Sequence, residues 1–133
     1  MDSNKLVYRS RMTIRWGDMD ALGHVNNTVY FRYLEQARVE WLETLGRPLE
    51  RSQGPVLVNA QCSFLRQLKY PGDIEVYCLM GAVGRSSFEM TYEIRRVDTP
   101  DVIVAEGSSK LVWIDFELEK SVPLPDSVRE MLT

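Results

Sequence analysis

Histidine and cysteine are scarce in this chain: His24 is the only histidine, and Cys62 and Cys78 are the only cysteines. One imidazole and two distant thiols do not make a metal-ligand cluster, so no metal and no cofactor is expected. Both thiols fall inside apparent strands and read as reduced core residues. No apolar run reaches membrane-spanning length, and the opening MDSNKLVYRS has no apolar signal core. A cytoplasmic protein with no membrane partner is the expectation. Neither sign of charge dominates, with 16 Lys and Arg against 19 Asp and Glu and a net charge of −3, which weighs against nucleic acid as a partner. Repeats, low-complexity tracts and composition breaks are also lacking. The 133 residues, 44% of them hydrophobic, suit a single domain over 1–133.

What is present is organised around residues 16–46. A polar loop carrying Asp18, Asp20, His24, Asn26 and Asn27 feeds the one long helical pattern in the chain. Tyr30, Tyr33, Leu34, Ala37, Trp41 and Leu45 recur at spacings of three and four, giving a broad apolar face. Arg32, Gln36, Glu40 and Glu43 fall on the other side. Phe31 and Val39 lie outside the stripe and point to cover from more than one direction, such as a second subunit. Asn26 or Asn27 can cap the helix start, and Gly46 with Pro48 reads as its stop. Asp20-Ala21-Leu22-Gly23 is turn-like, because Asp bonds its own backbone and Gly permits positive φ.

Strands account for most of the rest. The first is read over 6–16. Residues 55–68 alternate, with Val58, Ala60, Cys62 and Phe64 on one face. The alternation continues through Ile74, Val76, Cys78 and Met80, then Phe88, Met90, Tyr92 and Ile94. Turns are read at 70–73, 84–86 and 98–101. The last long strand spans 102–116, and one face of it carries Ala105, Gly107, Ser109, Leu111 and Trp113. Small residues in mid-strand imply close approach by another element, for which the long helix is the natural candidate. A short final helix over 125–132 begins at Pro125. Short turns predict that the last four strands are antiparallel neighbours, with the helix on one face, an α+β layout.

The run WGDMDALGHVNNTVYFRYLEQAR, the Tyr70-Pro-Gly-Asp73 turn and the Gly84-Arg-Ser-Ser-Phe88 hairpin resemble the hotdog-fold acyl-CoA thioesterases of the 4-hydroxybenzoyl-CoA thioesterase type. The resemblance covers nearly the whole chain. It implies a curved antiparallel five-stranded sheet wrapped around one long central helix, and a homodimer or homotetramer with sites at the interface. It implies hydrolysis of an acyl-CoA substrate to the free acid and CoA. By the same resemblance, the catalytic carboxylate falls on Asp20, and the backbone N–H that polarises the thioester carbonyl falls on Asn27. The region that holds the CoA phosphates falls on Arg85, Ser86 and Ser87. His24 and Asn26 stand where the aromatic-acyl branch carries apolar or aromatic residues, which resembles relatives acting on fatty acyl-CoA. Another branch uses an acid on the central helix, which makes Glu35 a rival to Asp20.

The chemistry asks for an activated water or carboxylate nucleophile and for donors to an oxyanion. Asp20 fits the first role, against a purely structural part in an Asx-turn. His24 fits water orientation, proton transfer or a substrate bond. Asn26 and Asn27 divide between cap and site ligand in an order the sequence leaves open. Tyr30 fits a pocket wall. Asp18 reads as structural or solvated, and Glu35 as part of a solvated helix face or as a salt-bridge partner of Arg38. Two other readings use the same fold: a non-hydrolytic module binding acyl-CoA or acyl-carrier protein, and, less consistent with the residue order, an enoyl-thioester hydratase.

Overall fold

The computed structural model describes residues 4–45 and 52–133; the expected helix stop at Gly46 and Pro48, and the start of the polar linker after it, lie outside the described residues. The elements in order are β1 (Lys5–Thr13), a single 3-10 turn (Trp16–Asp18), α1 (Asn27–Thr44), β2 (Gln53–Phe64), β3 (Asp73–Val83), β4 (Ser87–Arg96), β5 (Ile103–Asp115), β6 (Lys120–Ser121) and α2 (Asp126–Leu132). The strands form one antiparallel, curved sheet in the order β1-β3-β4-β5-β2, with α1 across one face, which is the hotdog layout.

Among the described residues the five-strand sheet forms as expected, and the two-residue β6 folds back onto the end of β5 as a short addition. One expectation needs correction. The last four long strands are not all sequential neighbours. β2 pairs with β5 at one edge of the sheet, and β3 lies between β1 and β4. The reason is the connection between β2 and β3. Residues 65–72 are too many for a tight hairpin, so they cross the end of the sheet instead. The β3–β4 and β4–β5 connections are short, and there the hairpins form as expected.

The helix seats on the sheet through the stripe that the spacing predicts. Tyr30, Tyr33, Leu34, Ala37, Trp41 and Leu45 are all buried. Opposite them are Ile74, Val76, Cys78 and Met80 from β3, Phe88, Met90, Tyr92 and Ile94 from β4, and Ala105, Leu111 and Trp113 from β5. Gly107 is where the two layers come closest. A β-carbon built there would lie 2.7 Å from Leu34 Cδ1 and 3.1 Å from the Gln61 carbonyl oxygen. The missing side chain is therefore the seat for Leu34. Of the two thiols, Cys78 is fully buried and pushed up to about 12 by that burial, whereas Cys62 is only half-buried on β2; both are free.

Glu40 departs from the solvated face assigned to it. Its carboxylate accepts hydrogen bonds from Ser10 at 2.6 Å, Gln36 at 2.9 Å and Tyr8 at 3.2 Å, which ties α1 to β1. Burial acts to raise its pKa, but the three donors outweigh burial and hold the carboxyl below its ordinary value.

Two outcomes follow. Gly107→Ala should cost about 1–3 kcal/mol by overpacking the Leu34 seat, read from urea unfolding; a neutral change would mean that α1 rides higher than described. Glu40 is depressed in the folded state, so its contribution is complete above the ordinary carboxyl value of 4.5 and fades as pH falls through the folded value. The stability advantage of wild type over Glu40→Gln should therefore be present at neutral pH and shrink in acid. An advantage that is flat across that window would remove the carboxylate from the account.

Candidate active site

The loop before α1 is a small folded unit. Met19 and Val25 form an isolated antiparallel bridge. The Asp20 N–H donates to the His24 carbonyl at 2.9 Å, and the Gly23 N–H donates to the Asp20 carbonyl at 3.0 Å. Gly23 sits at φ 84°, a left-handed conformation that favours glycine. Asp20 Oδ1 accepts the Leu22 N–H at 2.9 Å, so the Asx-turn expected of Asp20 does form. Among the described residues, its second carboxylate oxygen has no hydrogen-bond donor and remains available for chemistry.

Asp18 fixes this unit against the helix. Its carboxylate accepts the Tyr33 hydroxyl at 2.7 Å and the Arg15 N–H at 2.9 Å. Its carbonyl accepts the Asn26 N–H at 3.0 Å. Burial, together with the Asp18 carboxylate, pushes the Tyr33 phenol well up, so it stays a donor. A second tie runs from the Val25 N–H to the Leu68 carbonyl at 2.8 Å, in the β2–β3 connection.

The two asparagines divide cleanly. Asn26 is the cap, its Oδ1 accepting the Thr28 N–H at 2.9 Å and the Thr28 hydroxyl at 2.6 Å. Asn27 is the first helical residue, and its N–H has no acceptor among the described residues. That N–H sits at the positive end of an 18-residue helix.

Asp20, His24, Val25, Asn27 and Tyr30 line one side of a groove of about 330 Å³; Phe64, Leu65, Arg66 and Gln67 line the other. Asp20, His24, Asn27 and Tyr30 are thus brought together. Tyr30 is buried, which raises its phenol, and it packs edge-on against Phe64 at 4.9 Å. Asn26 is adjacent but points its oxygen into the cap. Arg66 is the cation in this groove, and Arg95 and Arg96 are engaged with Glu93 and Asp98. The signal for Arg66 lay in the segment after Phe64, which the sequence marks only as a lead-in to a turn.

Arg85, Ser86 and Ser87 lie elsewhere. They form the β3–β4 hairpin at the opposite end of β3 from Asp73, about 30 Å away along the strand. Their carbonyls are used locally. That of Arg85 accepts the Leu124 N–H and an Arg129 guanidinium N–H, that of Ser86 accepts the Trp113 N–H, and that of Ser87 accepts the Gly84 N–H. Within one chain they do not face the Asp20 groove.

Glu35 does not line that groove either. It lies on the solvated helix face, one of the two expectations, and pairs at 3.1 Å with Arg32 rather than with Arg38. Arg38 is buried instead, 9% exposed, with its guanidinium 3.4 Å from the Tyr92 hydroxyl; Tyr92 in turn shares a 2.6 Å hydrogen bond with Ser109. The sequence contained a signal for this, since Arg38 stands four residues after Leu34 and three before Trp41, within the buried stripe.

A family model of the thioesterase-like superfamily matches residues 14–132. The PA2801 protein of Pseudomonas aeruginosa, described as a candidate thioesterase, superposes with a TM-score of 0.91 at 39% identity, covering 97% of this chain and 100% of that one. A candidate esterase of Aquifex aeolicus is 31% identical over 130 residues, 95% of this chain and 96% of its own length. The 1,4-dihydroxy-2-naphthoyl-CoA hydrolase of Nostoc punctiforme is 28% identical over 125 residues, 90% of this chain and 82% of its own length. Together with the sheet wrapped on α1, these matches place the chain in the thioesterase-like superfamily, as a hotdog-fold thioester hydrolase.

Proposed function

We propose that the groove at the start of α1 is the hydrolytic centre and that Asp20 is its reacting carboxylate. The observation that carries this reading is the presence of a free carboxylate oxygen and an unpaired helix-start N–H on one groove wall. A thioester carbonyl oxygen at the Asn27 N–H meets a donor that is already oriented and supported by the helix dipole. Negative charge that develops on that oxygen during attack is stabilised there. Asp20 then acts in one of two ways. As a nucleophile it forms a mixed anhydride and expels CoA thiolate, and water cleaves the anhydride. As a general base it takes a proton from water as that water attacks the carbonyl, and the resulting tetrahedral intermediate collapses with loss of CoA thiolate to leave the free acid. His24, on the same wall, orients water or the leaving sulfur. Asn26 serves the site by capping the helix that carries Asn27.

The acyl group would run along α1 past Tyr30, Phe31 and Phe64, whose rings pack against one another at 4.9 and 6.4 Å. That wall suits a fatty chain, as His24 and Asn26 suggest. It also suits an aryl group such as that named for the Nostoc relative.

The working unit in this proposal is a homodimer, or a tetramer built from two dimers. β2 is an edge strand, and its apolar residues Val56, Leu57 and Val58 are 37%, 41% and 54% exposed. An exposed apolar edge calls for cover, and a second copy of the same edge supplies it by pairing. In such an assembly Arg85, Ser86 and Ser87 would hold CoA phosphates only at a groove belonging to another subunit.

Two measurements test this reading. Asp20→Asn keeps the Oδ1 acceptor for the Leu22 N–H and so keeps the turn. It should lower thiol release from acyl-CoA by about 100-fold or more with the fold intact. Unchanged turnover would pass the catalytic role to Glu35, and binding without thiol release in wild type would favour the non-hydrolytic module. Val58→Lys on the edge strand should shift the protein toward monomer in light scattering and lower activity with it; a wild type that is monomeric and fully active would end the dimer proposal.

A further inference from the structure

Two turns along α1 from Asn27, between the helix and β2, lies a second and smaller cavity of about 130 Å³, lined by Leu34, Arg38, Leu57, Tyr92, Ser108 and Ser109 among others. Its volume is close to that of an engineered cavity that takes up benzene, so one ring or a chain terminus fits. Its chemistry is unusual for a core. Arg38, a planar guanidinium, is more than nine-tenths buried. Among the described residues it forms no ion pair, and its hydrogen bond goes to a neutral hydroxyl, that of Tyr92, at 3.4 Å. Glu35 lines the same cavity but is paired with Arg32, and Glu40, further along α1, is held by Ser10, Gln36 and Tyr8. A buried guanidinium without an anion is costly, and the planar fork matches a carboxylate.

We propose that this cavity is the far end of the acyl site, and that it takes an acyl group whose terminus carries an anionic or hydrogen-bond-accepting oxygen, a terminal carboxylate being the best match to Arg38. The inference rests on the assignment of the groove at Asn27 as the thioester end. The two ends lie on the same seam of the fold. Tyr30 and Phe64 wall the groove, Phe31 walls the cavity, and Phe64 packs against both rings. Asn27 and Arg38 are about 16 Å apart along the helix axis, and helical side chains lean toward the N-terminus, so the guanidinium reaches back toward the groove. An acyl group of medium length, or one or two rings, bridges what remains. Tyr92, Ser108 and Ser109 supply further hydroxyls for the terminal oxygens. An unsubstituted fatty chain would put methyl groups against the charge and leave it without an acceptor.

The test compares matched substrates on the purified wild-type protein: suberyl-CoA with octanoyl-CoA, and 4-hydroxyphenylacetyl-CoA with phenylacetyl-CoA, each read by thiol release. The oxygen-terminated member of at least one pair should be favoured in kcat/KM by about tenfold or more, the value of one charged hydrogen bond. The suberyl pair reports a carboxylate and the phenylacetyl pair a phenolic oxygen. In Arg38→Met the favoured ratio should collapse toward one, and in Arg38→Lys, which keeps the charge without the fork, it should fall part of the way. A wild-type ratio at or below one in both pairs overturns the inference, and it does so even if the variants fail to fold. A ratio that survives Arg38→Met also overturns it. Thiol release from none of the four thioesters would instead bring down the hydrolytic assignment of the groove, and this inference with it.

Discussion

The close contact of Leu34 with the bare backbone of Gly107 is the constraint on which the rest of the structure depends. α1 can lie across the sheet at that depth only because β5 has no side chain at the crossing. A helix held there has its first turn fixed relative to the ends of β2 and β3. The groove opens at that junction, between the helix start and residues 64–67. The depth of a packing contact in the core therefore sets the width of a cleft several residues away, because close-packed interiors transmit displacement rather than absorb it.

Fixing the helix is not enough to place Asp20, the proposed reacting carboxylate, because it stands on a loop. Asp18 resolves this with three hydrogen bonds that join the loop to itself, to the cap residue and to Tyr33 in the second turn of α1. The two acids of the Gly-Asp-Met-Asp run thus have different work. The first is tied into structure, with two donors on its Oδ2. The second spends one oxygen on an Asx-turn and keeps the other. A loop anchored this way gives Asp20 a position nearly as determined as that of a residue on the helix, and preorganisation of that kind is what lets a single carboxylate and a single N–H act together.

Much of this was legible in the sequence, for identifiable reasons. The period of 3.6 from Tyr30 to Leu45 and the period of 2 from Ile74 to Ile94 reported the buried faces directly, since burial alone decides which residues repeat. Gly107 and Ser109 within a strand reported the helix crossing. Strand order was less legible. Adjacent hairpins follow from short turns, but the crossing of residues 65–72 is decided by where β2 can bury its surface, and no local signal encodes that. Burial of Arg38 was less legible, because an arginine reads as solvated by type, while its spacing from Leu34 and Trp41 places it in the buried stripe. For Arg85, Ser86 and Ser87 the resemblance implies a phosphate role at an interface, without saying which subunit's groove they would serve. A family pattern carries residues that meet across subunits, and a single chain's order along the sequence does not distinguish those from residues that meet within it.

The exposed edge of β2 and the buried charge of Arg38 raise the same physical question from opposite sides. One is apolar surface left in water, and the other is a charge withdrawn from it; both oppose folding of an isolated chain. They are also neighbours, since Leu57 of β2 lines the Arg38 cavity. Cover over β2 would lower the local dielectric around that cavity further and make the charge still less tolerable without an anion. The same cover would strengthen any bond the charge does make to a substrate oxygen. In the proposed dimer, assembly and substrate recognition would be coupled: closing the edge would make the empty cavity less favourable and the filled one more so, and a terminal oxygen on the proposed acyl group would reconcile the two.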